Sequence, residues 1–339
     1  MKQKKKQKVV ICSHHISYNM GGVATITRLT ADELLRQGYE VVILTNCDDG
    51  KFRPKGCRIF LNPSPWCCLK QIVLSDYVIC EGAIVRLCWP LLVVPKKSIV
   101  VRHMPITQRL SLLRRCVEKW LSLNAVWAGV SKYVAEREYI KMAIVPNARD
   151  HRIFYDDNRQ KKFDLIFVGG INRIKGADIL FEAVERLIDD GIKINRLTFV
   201  GEGDLHDALK HRLTNGRIGQ CDVVFTGNLD SWGVAEMLRN HRCMIAPTNE
   251  ELFAEAFPCV CLEGAACGCT IISSNSGGMS ESMGPSGITF DSRNIDALCG
   301  AIKKVLCDGW QPSRSAVAEH LSHYTPESLV NAYFQLMGK

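Results

Sequence analysis

The 339-residue chain has no apolar run of the roughly 18 residues that a membrane-spanning helix requires, so none is expected. No CxxC…CxxC spacing occurs, which removes a zinc-ribbon reading of its 16 cysteines. Cys67-Cys68 and the cluster Cys259, Cys261, Cys267 and Cys269 lie in apolar or small-residue runs. Buried thiols in a reducing cytoplasm are expected there rather than disulfides. Near the start only Val9 to Cys12 is apolar before His14-His15, too short for the core of a secretion signal, and it reads as a first strand. Acidic residues are scarce in the first half: residues 1–150 hold 24 Lys and Arg against 11 Asp and Glu, and the remainder holds 19 against 24. A basic half favours an anionic partner such as a membrane surface or a lipid phosphate, with a plain solvated surface as the alternative. No recognised nucleic-acid-binding motif accompanies the charge, so no nucleic acid partner is expected.

What the chain does have is the balance of a folded enzyme, 47% hydrophobic and 23% charged, and a length that suggests two domains. Strand and helix signals alternate twice over. Val9–Cys12, Glu40–Thr45, Tyr77–Cys80, Ser98–Arg102, Val126–Val130 and Ala143–Val145 read as strands. Val23–Gln37, closed by Gly38, reads as an amphipathic helix, and Thr107–Leu123 and Lys132–Lys141 as further helical segments. The polar stretch His151–Lys162 reads as a linker between domains 1–150 and 163–325. Beyond it the same grammar restarts, with strands at Phe163–Val168, Leu197–Val200, Val223–Thr226, Cys243–Ala246, Thr270–Ser273 and Ile288–Phe290. Helices are expected at Lys175–Asp190, from the GEGD turn to about Thr214, and at Asn294–Cys307. A terminal helix within 326–339 is free to pack back toward the first domain. The expected fold class is α/β, two doubly wound Rossmann-like domains facing across a cleft, with ligands at the carboxyl ends of the strands.

The densest stretch is Glu255 to Glu281, EAFPCVCLEGAACGCTIISSNSGGMSE. Pro258 suits the first turn of a helix reaching Cys267, and free N–H groups at such an end attract phosphate. Glu255 would stand at the mouth of that anion site and Glu263 one to two turns inside. Carboxylates accept hydrogen bonds from hydroxyls. A phosphate site with a carboxylate on each side suits a nucleotide-sugar, its sugar near Glu255 and its ribose near Glu263.

Five fragments, NMGGVATITRLTADELLRQGYEVVILT, GVSKYVAE, VPNARD, FVGGINRIKGADILFEAVERL and EAFPCVCLEGAACG, together resemble the retaining glycosyltransferases of family 4. That resemblance spans nearly the whole chain and implies the GT-B architecture. It implies a loop at Gly21 and Gly22 that approaches the donor, and a catalytic set of Lys175, Glu255 and His103, the last near the transferred sugar. It implies diphosphate binding by Lys175, and sugar and ribose contacts from Glu255 and Glu263. Phe257, Pro258 and Cys259, inside the Glu-x7-Glu signature, join the expected substrate-binding set. The family's usual Arg falls at Gly170, and Arg173 is the candidate to replace it. The Gly201-Glu202-Gly203-Asp204 turn carries His206 where a dinucleotide fingerprint wants its third glycine, and it reads as a turn near the nucleotide base.

No Asp-x-Asp pair occurs, so metal-independent catalysis and no cofactor are expected. The implied reaction moves a hexose-type sugar from a nucleoside-diphosphate donor, with retained configuration, to a hydroxyl of a glycan or lipid-linked acceptor in bacterial surface-polysaccharide synthesis. The expected location is cytoplasmic, peripheral to an anionic membrane. Lys2, Lys4, Lys5, Lys6 and Lys8 would supply part of the charge, and the rest would come from a segment carrying Arg109, Arg114, Arg115 and Lys119. The apolar residues of that segment (Leu110, Leu113, Val117, Trp120, Leu121) are expected to pack on the sheet. A sugar-nucleotide 2-epimerase on the same fold and a catalytically silent binding protein are the alternatives.

Overall fold

A computed structural model describes residues 6–17, 21–106 and 111–338. The chain divides into two compact units, one running to Ala148 and resuming at Tyr324, the other Arg149–His323.

The first unit is built on β1 (Lys8–His15), β2 (Glu40–Cys47), β3 (Cys57–Leu61), β4 (Tyr77–Glu81), β5 (Lys97–Arg102), β6 (Val126–Gly129) and β7 (Ala143–Ile144). These strands form one parallel sheet in the order β3-β2-β1-β4-β5-β6-β7. Its helices are α1 (Gly21–Arg36), α2 (Pro65–Val73), α3 (Val85–Cys88), α4 (Leu112–Asn124) and α5 (Lys132–Ala135). The second unit repeats the plan with β8 (Phe163–Val168), β9 (Arg196–Val200), β10 (Arg217–Ile218), β11 (Cys221–Phe225), β12 (His241–Ala246), β13 (Thr270–Ser274) and β14 (Gly287–Phe290). Their order is β10-β11-β9-β8-β12-β13-β14, parallel except for the β10/β11 pair. Its helices are α6 (Ala177–Asp189), α7 (His206–His211), α8 (Ser231–Asn240), α9 (Cys259–Ala266), α10 (Met279–Met283), α11 (Ile295–Leu306) and α12 (Arg314–Ser322). The last helix, α13 (Pro326–Leu336), belongs to the first unit, where Phe334 stacks on Tyr39 at 5.0 Å and meets Tyr77 edge-on at 4.8 Å.

The central strands are apolar on both faces because helices cover both, as a parallel sheet requires. Val9–Cys12 and Val41–Leu44 are all fully buried. In the second unit Phe181, Val184 and Leu187 of α6 share one core with Leu298, Ile302 and Val305 of α11. Small residues bring α9 down onto the sheet: a Cβ on Gly264 would lie 2.8 Å from the Met244 sulfur and 2.9 Å from Ile271 Cδ1.

Several expectations need correction. The stretch 151–162 is no free linker, because it is tied to the second unit. Arg239 Nη1 donates to Ile153 O at 3.0 Å, and Arg159 pairs with Glu236. The helix expected at Lys132–Lys141 ends at Ala135; Glu138 instead accepts the Ile106 N–H at 3.1 Å. The apolar residues of α4 do not pack as a face on the sheet. Leu121 is buried, but Leu113 and Trp120 are exposed. The inward place is held by Glu118, fully buried, which accepts from Arg102 at 2.8 Å and from the Tyr139 hydroxyl at 2.6 Å. Lys8 is buried with its ammonium on Gln71 at 2.8 Å, which removes it from any surface cluster. Lys2, Lys4, Lys5, Arg109 and Leu110 lie outside the described residues. Unforeseen elements are β3, α2, α3, β10, α8, α10 and α12; of these α2, α8 and α12 begin at polar caps, and Asp230, for example, accepts the Gly233 N–H at 2.8 Å to start α8.

Candidate active site

In each sheet the chain reverses its winding at one point, between β1 and β4 in the first unit and between β8 and β12 in the second. Crevices at such points are where doubly wound sheets bind ligands.

In the second unit the loops after β8 and β12 carry Lys175 and Glu255, and their side chains form an ion pair. The approach depends on glycine. Gly176 has φ of 73°, and a Cβ there would fall 1.9 Å from Pro247 O. The contact is closed by Asn249 N–H donating to Ile174 O at 2.9 Å, while Asn172 Oδ1 accepts the Lys175 N–H at 2.9 Å. Gly277 does the same for Glu255. Its φ is 55°, a Cβ would stand 2.1 Å from Glu255 O, and the Gly278 N–H donates to that oxygen at 2.7 Å. The Gly-Gly turn is therefore the support of the Glu255 loop. The Lys175 ammonium also lies over the Phe253 ring, 5.7 Å from its centre.

Pro258 caps α9 with extended backbone (φ −73°, ψ 112°), one residue outside the first turn where it was expected, and no side chain caps that end. Cys259 opens the helix and Phe257 is buried before it. Glu263 sits in the second turn, half-buried, and no side-chain partner meets its carboxylate among the described residues. Burial, reinforced by the nearby charge of Asp150, pushes its carboxyl up to about 7. Arg173 is exposed without a side-chain partner among the described residues, so it is not brought to the Lys175–Glu255 pair. The glycines of the GEGD turn let two loops touch: a Cβ on Gly201 would lie 2.1 Å from Gly169 O, and on Gly203 2.2 Å from Ile171 O.

The first unit gathers a different set. His103, following β5, shares a 2.6 Å hydrogen bond through Nε2 with Glu81 Oε2 at the end of β4. Both side chains are almost wholly buried. Tyr333 of α13 is buried beside them; burial and the Glu81 charge raise its hydroxyl well above its usual range. Gly21 and Gly22 open α1 two residues earlier than expected. Gly21 adopts φ of 77°, and a Cβ on either glycine would meet nothing within 4 Å among the described residues. Sequence reading passed over Glu81, although a carboxylate closing an apolar strand just before Gly82 marks a strand end. It also passed over Asn172 and Phe253, which carry no signal outside the fold.

Residues 162–308 match the family described as Glycosyl transferases group 1, so the second unit carries a domain of that type. Glycogen synthase from Mycobacterium tuberculosis is 30% identical over 159 residues, 46% of this chain and 36% of that protein. The matched segment thus spans little more than a third of the curated relative. Among solved structures, a glycosyltransferase from Rickettsia africae ESF-5 superposes with a TM-score of 0.79 at 14% identity, covering 99% of this chain and 100% of that one. HepE from Anabaena, in complex with UDP and glucose, gives 0.75 at 14% identity, covering 97% and 98%. The fold is the two-sheet α/β arrangement of GT-B glycosyltransferases.

Proposed function

We propose that this chain is a retaining glycosyltransferase of family 4 that moves a hexose-type sugar from a nucleoside-diphosphate donor to a hydroxyl. The observation that carries this reading is the Lys175–Glu255 pair at the switch point of the second sheet, beside the uncapped N-terminus of α9. Each member has a ready ligand partner. The ammonium and the α9 N–H groups suit a diphosphate; the two carboxylates, Glu255 and the unpartnered Glu263, suit sugar and ribose hydroxyls. HepE was solved with UDP and glucose, which supports a uridine donor here.

In the reaction the bond from the sugar C1 to the diphosphate oxygen breaks as the acceptor oxygen bonds to C1. The acceptor proton leaves with the departing phosphate oxygen. Negative charge grows on the diphosphate, where Lys175 and the helix N–H groups stabilise it without needing a metal. Glu255 orients hydroxyls. His103, Gly21 and Gly22 are proposed substrate contacts of the first unit.

The acceptor is proposed to be a glycan or lipid-linked molecule used in surface-polysaccharide synthesis, met at the cytoplasmic face of a membrane. No helix among the described residues is long and apolar enough to cross a bilayer. Yet α4 exposes Leu112, Leu113, Trp120 and Leu123 beside Arg115 and Lys119, a surface suited to anionic lipid.

Incubating the protein with a panel of nucleoside-diphosphate sugars tests the reading. Slow hydrolysis of one donor, unaffected by EDTA, is expected. Absence of hydrolysis and of saturable donor binding across the panel would refute it, and loss in EDTA with rescue by magnesium would refute the metal-free step.

A further inference from the structure

A cavity of about 740 Å³ opens on the second unit, away from the candidate site. Its wall includes Arg242 and Thr270, at the amino ends of β12 and β13, and Ala265 and Ala266 at the carboxyl end of α9. Those two strands are parallel, so their amino ends lie across the sheet from the loops that carry the Lys175–Glu255 pair. Phe154, Val317 and Leu321 supply apolar wall.

The cations on the wall differ in how far they are committed. Arg159 is paired with Asp157 and Glu236, and Arg242 with Asp164. Arg149 is not so satisfied. One guanidinium nitrogen, Nη1, donates to Phe154 O at 3.2 Å, but Nε is buried without an acceptor among the described residues. Burial lowers its pKa from the usual value. A guanidinium stays protonated at any ordinary pH, so this desolvation cost persists until an acceptor arrives. Lys161 uses its ammonium on Cys267 O, leaving donors over. Arg314, opening α12, is exposed and has no side-chain partner among the described residues. Asp156 is the one carboxylate on the wall.

We propose that this cavity is a second ligand site, for a small organic phosphate, held by Arg149, Lys161 and Arg314 with its apolar body against Phe154, Val317 and Leu321. The planar guanidinium fork matches a phosphate in two parallel hydrogen bonds. The volume falls within the roughly 300–1,000 Å³ of small-molecule sites. The inference does not depend on the transfer reaction proposed above.

Phenyl phosphate, an apolar ring bearing the anion, is the probe. Titrated into the intact protein by calorimetry at low salt, it should bind saturably at this site. Arg149→Gln and Arg314→Glu should each weaken binding by about tenfold or more, the scale of one charge-assisted hydrogen bond. Lys175→Ala should leave it unchanged, which separates this site from the candidate active site. Arg314 is exposed, so its variant keeps the test alive should Arg149→Gln fail to fold. No saturable binding, binding that survives Arg314→Glu, or binding lost with Lys175→Ala would overturn the proposal. Equal affinity for inorganic phosphate would remove the apolar wall and overturn the organic-phosphate assignment.

Discussion

The two sheets share a winding plan but place charge differently at their switch points. In the second unit an amine and a carboxylate meet near the surface: the Lys175 side chain is 36% exposed and that of Glu255 12%. In the first, His103 and Glu81 meet almost wholly buried, at 8% and 0%. Water screens a pair of the first kind, which therefore adds little to stability and exchanges partners readily. A pair of the second kind leaves a stranded group when either member is removed. The contrast separates a partly exposed pair, open to other partners, from a buried pair committed to each other.

The sharpest way to break this contrast is His103→Ala. It takes the His103 hydrogen bond from the buried Glu81 carboxylate, leaving Tyr333 as its neighbour, and should destabilise the protein by about 3–5 kcal/mol in chemical denaturation. Adding Glu81→Gln should recover part of that loss. A His103→Ala protein as stable as the parent would show that the buried pair holds nothing.

Lys175→Ala should do the reverse. On the proposed reaction, in which the ammonium meets the departing diphosphate, turnover should fall on the order of 10²–10³-fold. The melting temperature should barely move. A variant that unfolds easily but, while folded, keeps its turnover would make Lys175 structural and erase the distinction.

The smallest effect concerns Glu263, whose carboxyl holds its proton up to about 7 in the folded protein. The unfolded chain releases it near the ordinary value of 4.5. The folded state therefore binds more protons between those values, so this group's contribution to stability falls as pH rises from 4.5 to 7 and is level above. Glu263→Gln should gain on the order of 1–3 kcal/mol relative to the parent at pH 8 and nothing at pH 4. Donor affinity of the parent should move the other way, rising as the carboxylate forms near pH 7, and should be weakened at pH 8 by the substitution. Parallel denaturation curves at both pH values would show that the carboxyl is not perturbed.

The second unit was the more legible because its signals are local. Gly169-Gly170, Lys175 before Gly176, and the Glu255/Glu263 spacing each lie within a few residues of the element they serve. Those signals led directly to the loops after β8 and β12. The first unit hid its main feature, because Glu81 and His103 stand 22 positions apart on neighbouring strands and meet only when β4 pairs with β5. The amphipathic pattern of α4 misled for a related reason. Its apolar residues suggested a face packed on the sheet, but the inward position was settled by Arg102 and Tyr139, distant in sequence, which claim Glu118.

By itself the sequence determined the alternation of strand and helix, and hence the parallel sheets, since alternating apolar runs and glycine stops act within a few residues. Tertiary structure alone decided who partners whom. The Lys175–Glu255 pair needs Gly176 against Pro247, the perturbed Glu263 needs burial near Asp150, and Tyr333 reaches Glu81 only because the last helix returns to the first unit. Burial and long-range pairing are properties of the folded chain, and no local pattern encodes them.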